Sequence, residues 1–148
     1  MSDFTRRHFL QVVAAGAATA VVLCGCSSQN NSEPESFGDV TAGNVSSLQS
    51  GSVQTVPGAP VFIGRDSNGI YAMTTTCSHA GCDMSSSQPS NTNIMCHCHG
   101  SVFDLNGDVL QGPAGSSLTH FAVSVAVDGT ITVHGGQKVS ASTRTAVA

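Results

Sequence analysis

From residue 37 onward, short apolar runs alternate with clusters of turn-forming residues. Val61-Phe62-Ile63 and Ile70-Tyr71-Ala72-Met73 flank Asp66-Ser67-Asn68-Gly69, and Val102-Phe103-Asp104-Leu105 and Val109-Leu110 flank Asn106-Gly107. Phe121 to Val127 and Ile131-Thr132-Val133 flank Asp128-Gly129. Each is a hairpin signature, two β-rich runs around a turn with residues suited to unusual backbone angles. Asn106 and Gly107 both tolerate positive φ, so that pair predicts a type I′ turn. No stretch after Ser36 repeats apolar residues with a useful helical period. Residues 41–54 hold one further strand and a loop or short helical turn. The pattern predicts an all-β domain of short antiparallel sheets over residues 37–136. Residues 137–148 are small and polar and predict a frayed tail.

The first 36 residues read differently. Arg6-Arg7 stands before Phe9-Leu10 and an Ala/Gly-rich apolar stretch, which resembles a twin-arginine export signal over residues 1–26. The run from Phe9 to Gly25 is 17 residues long and includes Gln11, so an uncleaved membrane-spanning helix remains the alternative. Leu23-Cys24-Gly25-Cys26 resembles a lipobox, with Cys26 as the lipidated residue. Residues 27–36 offer nothing apolar to bury and predict a flexible tether. The expectation is an exported head, tethered to a membrane by lipid or helix and facing the periplasm or cell exterior.

Composition narrows the partners. Charged residues make up only 9 % of the chain and the formal net charge is −4. From Cys26 onward three basic residues face eight acidic ones, so no basic stripe exists to displace counterions from phosphates. Nucleic-acid binding is excluded on that ground.

The candidate chemistry lies in two boxes, Cys77-Ser78-His79-Ala80-Gly81-Cys82 and Cys96-His97-Cys98-His99-Gly100-Ser101. Sixteen residues separate His79 from Cys96. Four cysteines in an exported chain suit two disulfides, but that leaves the box histidines without a role. Two Cys and two His suit zinc, although Cys-x-His is an uncommon zinc spacing and leaves the other cysteine pair unexplained. His97 reads as an exposed loop residue, and His120 and His134, on hairpin strands, as structural or exposed.

The paired boxes resemble the Rieske iron–sulfur signature, and the likeness extends from about Val53 to His134. It implies an all-β Rieske-type fold with a cluster-binding subdomain carried on two loops. It also implies one 2Fe–2S cluster per chain, held by Cys77 and Cys96 on one iron and by His79 and His99 on the other. By the same resemblance Cys82 and Cys98 form a disulfide, and Gly112-Pro113-Ala114 is a loop near the cluster. Replacing two thiolates with neutral imidazoles raises the potential, to roughly −150 to +300 mV against about −400 mV for plant-type ferredoxins.

Three positions tune the expectation. Ser101 matches a serine that donates to a bridging sulfide, whereas Phe103 replaces a tyrosine that bonds a ligand-cysteine sulfur. Ala80 stands where a larger apolar residue shields the cluster. The resemblance implies one-electron transfer with no independent catalytic site. The partners it implies are cytochrome b with quinol and a c-type cytochrome, in a quinol–cytochrome c reductase-like complex. The alternatives are a carrier for another periplasmic oxidoreductase, such as an arsenite oxidase-like enzyme, or an iron–sulfur redox sensor. The acidic surface suits a partner with a basic docking patch. Oxygenase-type Rieske ferredoxins fit less well, since they generally lack the second cysteine pair.

Overall fold

A computed structural model of the protein describes residues 36–147; the expected export signal, Cys26 and most of the expected tether lie outside the described residues. Nine strands form two antiparallel sheets. The larger contains β1 (Asp39–Asn44), β2 (Ser52–Thr55), β3 (Val61–Asp66), β4 (Gly69–Thr74), β8 (His120–Val125) and β9 (Thr130–Val139), in the order β1-β9-β8-β4-β3-β2. The smaller is β5 (Asn93–Met95), β6 (Val102–Asp104) and β7 (Val109–Gln111), in chain order. A 3₁₀ turn, Val45–Ser47, follows β1 and is capped by the Asn44 side chain. The all-β expectation holds.

Strands β3 and β4 are buried on both faces, which explains their unbroken apolar runs. Because successive side chains point to opposite faces, they feed two cores. Val61, Ile63, Ile70 and Ala72 join Phe121, Ile131 and Val133 on one side. Phe62, Tyr71 and Met73 join Met84, Ile94, Phe103, Leu118 and two cysteines, Cys77 and Cys96, on the other. A short three-stranded sheet is marginal alone, so β5–β7 depends on this second core.

Two hairpin turns differ from the sequence expectation. Only Gly107 takes positive φ in the β6–β7 turn, and no described non-glycine residue does. The Asp104 carboxylate accepts the N–H groups of Asn106 and Asp108, and Gly107 N–H reaches Asp104 C=O, so the loop is longer, with one left-handed residue. The β8–β9 turn is built alike, with Gly129 N–H on Ala126 C=O and φ of 82°. The preceding strand ends at Val125, and Val127 is fully exposed.

The tail is not frayed. Strand β9 continues to Val139, and β4 and β8 pair only at Ala72–Phe121 and Met73–His120. Beyond that point Thr145 fills the gap: it exchanges backbone hydrogen bonds of 2.9 Å with Ile70, and its hydroxyl donates to Val123 C=O. Hydrogen bonding anchors this segment, with Val147 its one apolar contact to the core, so a hydropathy reading does not find it.

His134 and His120 also differ in setting. On the outer sheet face the Asp39 carboxylate meets His134 Nδ1 at 2.9 Å, and His134 Nε2 meets Ser124 Oγ at 2.9 Å, a clasp across β1, β9 and β8. His120 is 2 % exposed; its Nδ1 donates to Leu118 C=O, and its Nε2 has no hydrogen-bond partner among the described residues. Burial pushes its pKa below the ordinary 6.5; the Leu118 carbonyl opposes this, nearby Arg144 reinforces it, and Asp108 and Asp104 oppose it. A depressed histidine pKa means that the unfolded chain binds the proton first, so stability should fall as pH drops below about 6.5. Denaturant titrations of the wild type and His120→Gln at about pH 7.5 and about pH 5.5 check this. The wild type should lose more stability on acidification; equal losses would refute the assignment to His120.

Candidate metal centre

The two boxes form loops of the same construction. In the first, Cys77 N–H donates to Cys82 C=O and Gly81 N–H returns to Cys77 C=O. In the second, Cys96 N–H donates to Ser101 C=O and Gly100 N–H returns to Cys96 C=O. Gly81 and Gly100, at φ of 72° and 78°, supply the left-handed residue that closes each loop. The first loop follows β4 of the large sheet, and the second joins β5 to β6 of the small one. The site therefore spans the two sheets.

A disulfide between Cys82 and Cys98 ties the loops together, while Cys77 and Cys96 remain free thiols. The free pair is buried, at 1 % and 2 % exposure. The box histidines are exposed, and their rings face each other at 4.9 Å in an edge-on arrangement. His97 and Ala80 are exposed too. Two inward sulfurs and two outward imidazoles thus converge from loops that are 16 residues apart at the bridge.

Burial pushes the Cys77 thiol up; the His79 backbone N–H counters this, the adjacent Cys96 adds to it, and the Ser101 hydroxyl counters it. Two neighbouring thiols in a dry site resist becoming two thiolates unless a cation is present. That chemistry fits a metal centre. The sulfurs of Cys82, Cys96 and Cys98 lie within 4.8 Å of one another, but two of them are consumed in the disulfide. This proximity places the bridge beside Cys96 and does not define a three-thiolate site.

The surroundings are ordered by polar contacts. Ser101 is fully buried, and its Oγ accepts the Ala114 N–H at 3.0 Å, which leaves its hydrogen free to point toward sulfur. Phe103, also fully buried, packs in the same core as Cys77 and Cys96. Ser78 Oγ donates to Ser116 C=O, so the loop after cis Gly112–Pro113 is joined to both boxes. Neither the Ser78 contact nor the Ala114 donor is legible in the boxes alone. The repeated Cys-x-x-x-Gly spacing was the available signal for two matching loops.

The Rieske [2Fe-2S] domain profile matches residues 39–122. Cytochrome b6-f complex iron-sulfur subunits of Synechococcus sp. strains CC9605 and RCC307 are each 32 % identical over 145 residues, covering 83 % of this chain and 81 % of theirs. A chain from the complex of reduced oxygenase and oxidized ferredoxin in carbazole 1,9a-dioxygenase superposes with a TM-score of 0.52 at 26 % identity. It covers 69 % of this chain and 97 % of that one. The buried thiols, the facing histidines and these matches agree: the chain belongs to the Rieske [2Fe-2S] family. It is an electron-transfer protein with a 2Fe–2S cofactor, homologous to cytochrome b6-f iron–sulfur subunits.

Proposed function

We propose that Cys77 and Cys96 hold one iron of the cluster and that His79 and His99 hold the other. The protein then passes single electrons as the iron–sulfur subunit of a quinol-oxidising cytochrome complex at the outer face of a membrane. The observation carrying this reading is the polarity of the site, with free thiols buried and imidazoles facing each other at the surface. When bound, the cluster supplies a one-electron couple whose imidazole ligation raises its potential. Cys77 and Cys96 keep the ligand sulfurs from water, which favours thiolate ligation over exchange. His79 and His99 present the first groups that a redox partner meets, and a neutral imidazole there can take a proton. Ser101 is held by Ala114 N–H to donate toward sulfur. The cytochrome b6-f relatives and the Cys82–Cys98 bridge support the cytochrome-complex reading.

Phe103 in place of a phenol donor, together with exposed Ala80, favours a second reading: an electron-transfer subunit for another periplasmic oxidoreductase. Among the described residues no helix is long and apolar enough to cross a membrane. Export by Arg6-Arg7 and lipidation at Cys26 supply the proposed tether. The Cys26→Ala protein should appear in the soluble exported fraction; continued membrane retention would favour an uncleaved helix.

The reduced protein should show a rhombic Rieske-type electron paramagnetic resonance signal, lost in His79→Ala and His99→Ala. A colourless protein with one zinc per chain would sink the proposed site.

Phe103→Tyr should raise the reduction potential. A donor aimed at a ligand sulfur stabilises the more negative reduced state, and a net hydrogen bond contributes about 0.5–1.5 kcal/mol. With 59 mV equivalent to ~1.4 kcal/mol for one electron, the shift is roughly 20–60 mV upward. Ser101→Ala should shift it downward by a comparable amount. Film voltammetry at one fixed pH reads both; an unmoved potential at full cluster content would place the new hydroxyl away from sulfur.

A further inference from the structure

The C-terminal segment beyond β9 reaches both sheets through one side chain. Arg144 Nε donates to the Asp66 carboxylate at 2.6 Å, in the β3–β4 turn. One terminal nitrogen donates to the carbonyls of Ala141 and Thr143, and the other to Asn106 Oδ1 at 2.7 Å, in the β6–β7 turn. The guanidinium lies 4.0 Å over the Tyr71 ring. Gly64, Tyr71's cross-strand partner, lies against the same ring, where any Cβ would collide with the phenol carbons. Tyr71 in turn donates to Leu105 C=O at 2.7 Å, and burial pushes its pKa up to about 12, so it stays a donor. Leu118 N–H meets Gly107 C=O at 2.9 Å, and a Cβ at Gly107 would come within 2.9 Å of Leu118.

We propose that Arg144 is a positioning residue for the cluster: from the C-terminal segment it pins the β6–β7 hairpin, which runs directly from the second box, onto the large sheet. Ser101 immediately precedes β6 and Phe103 lies within it, so a tilt of the hairpin moves both relative to Cys77, which belongs to the other sheet's loop. Arg144 lies beyond residues 39–122, outside the stretch that the family profile matches. Only a planar fork of donors meets Asp66, Asn106 and two carbonyls while stacking on a ring, which lysine cannot do. The effect on the cluster rests on the ligand reading above. The hairpin's rigidity does not, so the two fail separately.

Hydrogen exchange by mass spectrometry on the cluster-loaded full chain tests the pin. Asn106→Ala leaves the Arg144–Asp66 pair intact and removes the link to the hairpin together with the Asn106–Asp108 contact inside the turn. It should speed exchange of amides in residues 102–111 by about tenfold or more, the loss of one charge-assisted hydrogen bond and one turn contact, while Ile131 and Val133 stay protected. Arg144→Lys should loosen the same amides, and the double variant should exchange no faster than Asn106→Ala alone. The paramagnetic resonance lines of the reduced protein should broaden in each variant as the cluster's surroundings become heterogeneous. Unchanged hairpin exchange, a uniform rise across both sheets, or multiplying effects in the double variant would overturn the pin. Unchanged line shapes despite a loosened hairpin would overturn its action on the cluster.

Discussion

Two thiols must sit side by side in a dry pocket although they come from loops on different sheets, and the rest of the molecule answers that constraint. Left alone, such loops would drift apart and Cys77 and Cys96 would hydrate. Three kinds of restraint oppose this. Each loop is closed on its own backbone around a left-handed glycine, the Cys82–Cys98 bridge joins the pair, and the segment from Gly112 to Ser116 is bonded to both through Ala114 and Ser116. A bridge closing a loop of this length contributes about 3 kcal/mol in the chain-entropy model. Its larger service is geometric, since it joins the two loops that carry Cys77 and Cys96.

The central strands make this arrangement possible. Because β3 and β4 are apolar on both faces, one sheet supports two independent cores, and only one of them contains Cys77 and Cys96. The core around Phe121, Ile131 and Val133 is a conventional sheet interior. The other joins the small sheet to the large one, with Phe103 and Met84 fully buried beneath the loops. The division of labour follows from strict alternation along six residues of each strand.

Legibility in the sequence followed the range of the interactions. The boxes, the three hairpins and the paired strands are local patterns, and they stand where the sequence placed them. The turn at Asn106-Gly107 was misjudged because the Asp104 carboxylate, two residues earlier, offers the backbone a longer closure than the two-residue turn. The tail was misread because Arg144 finds Asn106 and Asp66 at separations of 38 and 78 residues, which no local composition reveals. His120 was left open between core and surface, since a lone histidine on a strand carries no sign of its neighbours. At the site, the resemblance supplied the two boxes and the cysteine pairing, while the contact of Ser78 with the proline loop needed coordinates.

The facing imidazoles occupy one small cap of the surface, with both sheets behind them. Electron tunnelling weakens steeply with distance, so a partner arriving at the flank or the base of such a molecule meets insulation. Productive encounters are then a matter of orientation more than of collision, and docking two specific patches commonly holds association to about 10⁵–10⁷ M⁻¹s⁻¹. With the cluster held as proposed, a head with a single conducting pole gains selectivity from this geometry.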